Sequence, residues 1–244
     1  MAVYDAVVIG AGHNGLVAAA YLARAGRKVL VLEKRPLVGG ATVTEEIVPG
    51  YKFSRLSYVS SLFRPDILRE LKLASYGFEL LPRNPSSFTP FPDGRHLLLG
   101  PDSKLNQEQI GKFSQRDAEV FPRYEALLER MVTVIEPLLD RRPARLHGLD
   151  LFAWVDLIKA AWRAKRLGRE FYRFLSMLTG PASNFLDEWF ESEELKTTLA
   201  TDAIIGAMAS PSSPGTAYVL FHHVMGETNG ARGVWAYVRG GMGA

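Results

Sequence analysis

The chain contains no cysteine. That absence excludes disulfides, thiolate metal sites and a C-x-x-C redox pair. Apolar runs are short: none reaches the roughly eighteen residues a membrane-spanning helix needs, so no such helix is expected. Charge of one sign is also scarce, with 29 Lys and Arg against 26 Asp and Glu. No basic stripe is interleaved with stacking aromatics, so a nucleic-acid partner is not expected. Repeats, low-complexity tracts, a nucleophile elbow and a Ser-His-Asp pattern are missing too. What remains is an ordinary globular composition, 47% hydrophobic over 244 residues, enough for one or two domains with a sizeable core.

The richest information lies in residues 4–42. Residues 6–9 form a short continuous apolar run, the pattern of a strand buried on both faces. Gly10, Gly12 and Gly15 then satisfy G-x-G-x-x-G. The first glycine permits the tight turn, the second lets backbone approach a pyrophosphate, and the third lets a helix pack closely on the strand. Residues 16–25, rich in Ala and Leu, predict that helix. Its start offers unpaired N–H groups and partial positive charge to a diphosphate, and Gly26 is placed to end it. Residues 29–32 predict a second strand closed by Glu33, 18 residues past Gly15. That is close to the roughly 20-residue spacing of a ribose-binding acid. A carboxylate there accepts from ribose hydroxyls and repels a 2′-phosphate, which disfavours NADP. A second glycine pair, Gly39-Gly40, follows. An NAD-only Rossmann domain has no need of it, so it argues for FAD over NAD.

The segment Glu33-Lys34-Arg35-Pro36-Leu37-Val38-Gly39-Gly40-Ala41-Thr42 resembles the acid-plus-diglycine signature of the phytoene desaturase and amine oxidase group of flavoproteins. In that group the second glycine pair lets backbone run beside the FAD diphosphate and ribityl chain. The candidate cofactor-binding set is therefore Gly10, Ala11, Gly12, His13, Asn14 and Gly15 from the first loop, with Glu33, Lys34, Arg35, Gly39, Gly40, Ala41 and Thr42 from the second. Further segments narrow the resemblance: residues 43–50, 53–55, 189–193, 199–203, 206–208, 222–226 and 240–244. They are similar to the family of pyridine nucleotide-disulfide oxidoreductase domain-containing protein 2 and its bacterial relatives. Phytoene desaturases carry Asp-x-Gly after an aromatic where this chain has Ser54-Arg55 after Phe53, so desaturase chemistry is not carried over.

The resemblance implies an α/β fold: a Rossmann-like FAD-binding domain with an inserted α+β substrate and helical region. It sets residues 1–74 as the FAD-binding segment, 75–230 as the insertion and 231–244 as the start of the return. The chain has about half the length usual for that family and reads as its N-terminal half, so a truncated product or fragment lacking the C-terminal part of the fold is expected. The implied activity is FAD-dependent transfer of a hydride equivalent from a C–H or C–N bond of a small, lipophilic substrate. Without cysteine, electrons must pass between flavin and an external partner. The alternative is a catalytically silent fragment that regulates or binds a mitochondrial protein; a lower third option is half of an NAD-dependent dehydrogenase. Vertebrate relatives imply the mitochondrial matrix, whereas a bacterial origin implies the cytoplasm. The first strand begins almost at Met1, which leaves no room for a signal or transit peptide.

Further along, residues 78–81 predict a short strand and residues 87–99 a hairpin around Pro92-Asp93-Gly94. Ser114 to Asp117 resembles a capping box. Phe121, Tyr124, Leu127, Leu128, Met131, Val134, Ile135 and Leu138 follow at helical spacing and read as core. Pro122 predicts either a kink or the true start of that helix. Residues 140–148 read as a connection. Residues 150–178 read as helical, with Lys159, Arg163, Arg166, Arg169 and Arg173 forming one basic face. A solvated face is the first reading of it, and docking on anionic lipid the second. Residues 185–199 predict another helix, and residues 210–215 a turn-rich loop. In the apolar segment 218–225, His222 and His223 read first as structural, then as substrate-side groups; a third metal ligand does not accompany them. His13 reads as shaping the glycine loop or touching the cofactor. No catalytic residue is singled out.

Overall fold

A computed structural model describes residues 3–139 and 151–244. The expected connection over residues 140–148 lies outside the described residues. Two compact units divide the chain: Met1–Arg83 with Gly226–Ala244, and Asn84–Met225. The class is α/β, with the mixed βαβ start in the first unit and a mainly helical second unit.

In the first unit, strand β1 (Ala6–Ile9) pairs in parallel with β2 (Val29–Leu32), Ala6 opposite Val29 and Ile9 opposite Leu32. Helix α1 (His13–Arg24) connects them. It starts three residues earlier than the alanine-rich run predicts, because Gly12 already serves as its N-cap. Gly26, at φ +78°, follows its end and donates to the Ala23 carbonyl at 2.9 Å. The expectation that β1 is buried on both faces is wrong. Its residues alternate, and Ile9 is 87% exposed. Among the described residues β1 pairs with β2 alone. Val8 faces α1, since its Cγ1 lies 3.3 Å from where a Cβ on Gly15 would stand. The opposite face carries Val7 and Ile9 into solvent.

An antiparallel hairpin follows, β3 (Thr44–Val48) and β4 (Tyr51–Ser54), with an irregularity between Glu46 and Val48. Helix α2 (Pro65–Glu70) starts on a proline, which supplies the preset φ and loses no needed N–H there. Its last residue receives α1: Tyr21 donates to the Glu70 carboxylate at 2.8 Å and Arg24 to the Glu70 carbonyl at 2.6 Å. Strand β5 (Leu80–Pro82) starts two residues later than the short strand predicted over 78–81 and ends one later.

The second unit opens on the expected hairpin, β6 (Ser87–Pro90) with β7 (His96–Leu99). Its turn has Gly94 at φ +85°, and the Asp93 carboxylate accepts from Arg95 N–H at 3.0 Å. Helix α3 (Ser103–Gly111) is N-capped by Asp102. Helix α4 (Gln115–Leu139) buries Phe121, Tyr124, Leu127, Leu128, Met131 and Val134 of the predicted stripe, with Ile135 and Leu138 half-buried. These residues join Leu97 and Leu99 of β7 in one core cluster. Pro122 is neither the helix start nor its end: α4 runs through it. Proline cannot donate to the carbonyl four residues back. That carbonyl, on Ala118, instead accepts from the Gln107 side chain of α3 at 3.2 Å.

Helix α5 (Leu151–Arg166) ends before Gly168, which has φ +57°, and α6 (Phe171–Thr179) begins after it. The predicted single basic face is therefore broken. Arg169 falls in the turn between the helices, and Arg173 on α6 is engaged by Glu170 and Glu188. The helix predicted over 185–199 is likewise two helices, α7 (Ala182–Asp187) and α8 (Glu193–Ala200). The break has a cause 74 residues upstream in sequence. Ser114 does cap α4, its hydroxyl accepting from Asp117 N–H at 3.1 Å. The Asp117 carboxylate, however, turns away from the capping box. It accepts from Glu191 N–H at 3.0 and 3.2 Å and from Ser192 N–H at 2.8 Å, and Ser192 then caps α8. Residues 210–215 form the expected turns ahead of α9 (Thr216–Val224), where the Thr216 hydroxyl accepts from Ala182 N–H at 2.9 Å.

Glu125, on the α4 face beside this core, is half-buried. Burial, and then the charge of Glu129 one turn on, push its carboxyl up to about 7. A carboxyl raised above its unfolded value of about 4.3 favours the fold fully only below that value. Its contribution is lost as pH rises through about 7. Glu125→Gln is expected to raise stability by about 1 kcal/mol near pH 8, after discounting for solvent screening, and to change little near pH 4. Urea unfolding at the two pH values checks this.

The chain returns to the first unit through β8 (Glu227–Thr228), β9 (Ala231–Arg232) and β10 (Ala236–Val238). Strand β10 pairs antiparallel with β5, Tyr237 opposite Leu81, and Ala236 bridges Ser60. Arg239 closes the pair by donating to both Glu79 oxygens.

Candidate dinucleotide site

The site grows from the C-terminal ends of β1 and β2. Gly10 leaves β1 at φ +97° and donates to the Leu32 carbonyl at 2.7 Å, so the first turn stays fastened to the second strand. A Cβ on Gly15 would stand 2.4 Å from the Gly10 carbonyl oxygen, which is why only glycine lets α1 lie this close to the turn. The start of α1 has no side-chain cap and no acid in its first turn. Its leading N–H groups and the positive end of its dipole are thus available to an anion.

The second glycine pair meets the first loop directly. Gly39 forms a parallel bridge with Gly12 and donates to the Ala11 carbonyl at 2.8 Å. Gly39 and Gly40 hold φ of +122° and +59°, and a Cβ on Gly40 would stand 2.9 Å from the Gly12 Cα. The two glycine segments therefore run backbone to backbone, bare of side chains. Thr42 secures the turn, its hydroxyl donating to the Gly39 carbonyl at 2.8 Å.

Glu33 joins the two loops. One carboxylate oxygen accepts from Arg35 N–H at 3.0 Å and the other from Ala11 N–H at 2.8 Å. These main-chain donors, Arg35 first and Ala11 second, hold its carboxyl below the ordinary glutamate range. Each oxygen keeps a further lone pair for a ribose hydroxyl. Arg35 is turned elsewhere: its guanidinium pairs with Glu45 on β3, which Arg55 also reaches at 3.1 Å. Ala11 is buried, while His13, Asn14, Lys34 and Ala41 stand exposed around the loops. The structure thus brings the predicted glycines, Ala11, Glu33 and Thr42 into one small region, with Arg35 directed to an ion pair.

Sequence reasoning set residues 231–244 as the return to the FAD-binding segment but did not place the glycines among them beside the site. Gly243 N–H donates to the Thr44 hydroxyl at 3.0 Å and Met242 N–H to the Ser54 hydroxyl at 3.2 Å. A Cβ on Gly241 would lie 2.4 Å from the Thr44 hydroxyl, and one on Gly243 would lie 2.9 Å from the Thr42 carbonyl. The run Gly240-Gly241-Met242-Gly243 was the available signal, since clustered glycines mark close backbone approach.

The two histidines lie on α9 in the second unit. His223 is buried with Nδ1 2.7 Å from the Val219 carbonyl, the geometry of a packed helix residue. His222 is half-buried; its burial, and then His223, hold its imidazole below the ordinary histidine range. Among the described residues no cluster of three His, Cys, Asp or Glu side chains is placed to hold a metal ion, and no helix is long and apolar enough to cross a membrane.

The sequence profile of the NAD(P)-binding Rossmann-like domain matches residues 8–71, the span of both glycine loops and Glu33. Pyridine nucleotide-disulfide oxidoreductase domain-containing protein 2 of Rattus norvegicus is 53% identical over 99% of this chain and 44% of its own length. An uncharacterized protein of Mycobacterium bovis is 34% identical over the same shares. In three dimensions a putrescine oxidase variant superposes with a TM-score of 0.55 at 18% identity, over 98% of this chain and 46% of that one. At that identity the likeness concerns the fold alone. The chain spans 44% of the length of these sequence relatives. Over nearly its whole length, then, this chain is a relative of pyridine nucleotide-disulfide oxidoreductase domain-containing protein 2 and of its bacterial counterparts.

Proposed function

We propose that the first unit binds FAD and that the protein acts as an FAD-dependent oxidoreductase. One observation carries the reading: Gly12 and Gly39-Gly40 run backbone to backbone at an uncapped helix start, with Glu33 between the loops. A diphosphate fits the exposed N–H groups of α1, and the remaining lone pairs of Glu33 fit ribose hydroxyls. The second glycine pair is the ground for FAD over NAD. Bound FAD would supply an acceptor for a hydride equivalent from a C–H or C–N bond of a small substrate. An external acceptor then takes those electrons.

Calorimetric titration with FAD and with NAD tests the reading. FAD is expected to bind at least about ten-fold tighter, a difference of about 1.4 kcal/mol. A colourless protein that refuses added FAD, or one that prefers NAD, overturns it. A second reading, a catalytically silent binding module, is favoured by the exposed face of β1 and its edge, unpaired among the described residues. Refusal of both dinucleotides is the result that reading expects.

A further inference from the structure

Helix α5 is amphipathic in an inverted sense. Among its described side chains the buried ones are small, Ala160 and Ala164, on the side where the helix packs against α4. The large apolar residues described from position 154 onward face outward: Trp154 is 42% exposed, Ile158 65% and Trp162 59%, with Val155 beside them. Positions 154, 158 and 162 recur every four residues and form one stripe along the helix. A helix that merely faces solvent places polar groups there.

The charges frame that stripe. Lys159 and Arg166 lie along one side of it, Lys165 continues its line at the C-terminal end of the helix, and all three are exposed. Arg166 reaches back over the Trp162 ring, its guanidinium carbon 4.4 Å from the ring centroid. The single acid of α5, Asp156, is half-buried on the Ala160 side of the helical wheel and already engaged. Among the described residues no acid pairs with Lys159, Lys165 or Arg166.

We propose that this face of α5 docks on an anionic lipid surface, lying in the headgroup plane with Trp154, Ile158 and Trp162 inserted. An apolar stripe bearing two tryptophans and flanked by cations matches an interfacial helix, whose aromatics settle at headgroup depth while Lys and Arg stems reach back to the phosphates. Charge decides against a second copy as the occupant. An isologous contact would set the same cations against one another, with no exposed acid on the helix to answer them. The inference is independent of flavin binding in the first unit.

Co-sedimentation of the full chain with vesicles tests it. Binding is expected to vesicles of phosphatidylcholine mixed with phosphatidylglycerol, to be weak on pure phosphatidylcholine, and to fall in high salt. Each cation near an anionic surface strengthens partitioning roughly five-fold, so K159Q/K165Q/R166Q together weaken it about a hundred-fold. Brominated lipid should quench tryptophan emission in the parent protein, and W154S/W162S should abolish the quenching because Trp189 and Trp235 lie elsewhere. Unchanged circular dichroism in these surface variants separates docking from folding. Equal association with both vesicle types, or binding indifferent to the cation variant, overturns the proposal. So does a concentration-dependent dimer that W154S/W162S abolishes, since a second copy would then occupy the face.

Discussion

Asp117→Ala is expected to cost the second unit about 3–5 kcal/mol, the range for stripping a buried charge from its partners. The carboxylate is 0% exposed and receives two main-chain N–H groups, from Glu191 and Ser192. Alanine leaves both donors unanswered near a packed core and creates a small void. The damage propagates through a defined route: Ser192 caps α8, so loosening that turn frees the start of the helix. Asp117→Asn keeps one acceptor oxygen, and about half the loss is expected. Urea denaturation of the three proteins, followed by tryptophan emission, measures the difference. An Asp117→Ala midpoint within error of the parent would mean that the carboxylate does not organise this turn.

The second large effect is expected at the glycine loops. A Cβ on Gly15 would meet the Gly10 carbonyl oxygen at 2.4 Å, and that oxygen is main chain, so α1 must move off the turn. Gly15→Ala should therefore lower stability by about 1–3 kcal/mol, the usual penalty for overpacking. Gly40→Ala faces two costs. Its φ of +59° is disfavoured for a residue with a side chain, by about 1–2 kcal/mol, and its Cβ would press on the Gly12 Cα at 2.9 Å. Because one change moves α1 off the first turn and the other separates the two loops, each is expected to weaken FAD binding at least about ten-fold, or about 1.4 kcal/mol. Gly26→Ala supplies the comparison. That glycine also has positive φ, but a Cβ there meets nothing within 4 Å. It should lose stability while keeping FAD affinity. Equal FAD affinity in all three variants would disconnect the glycine loops from cofactor binding.

Much of this architecture was legible in the amino-acid order because its causes are local. Residues 29–32 predict β2 with the observed bounds, since the run is short, apolar and closed by an acid. The hairpin at Asp93-Gly94 follows from turn chemistry, and the α4 core stripe follows from helical spacing. The errors share a different origin. A continuous apolar run cannot say whether both faces will find cover, and β1 leaves the face of Val7 and Ile9 exposed. Periodicity across 185–199 cannot reveal that a carboxylate from residue 117 will hold the break between α7 and α8. Nor can the spacing of Arg169 and Arg173 reveal that Gly168 ends the helix beneath their shared face.

The sequence by itself determined a βαβ unit with two glycine loops and an acid at the end of its second strand, because strand, turn and helix signals act over a few residues. Tertiary structure alone decided what those glycines are for. Gly39-Gly40 must abut Gly12, and Gly241 and Gly243 must abut Thr42 and Thr44, because segments far apart in the chain approach to main-chain contact where no side chain fits. It alone also decided that Glu33 braces the loops through Ala11 and Arg35, and that α5 turns its tryptophans outward after spending its small face on α4. Both outcomes depend on which surfaces meet in space, a property that residue order carries only through the completed fold.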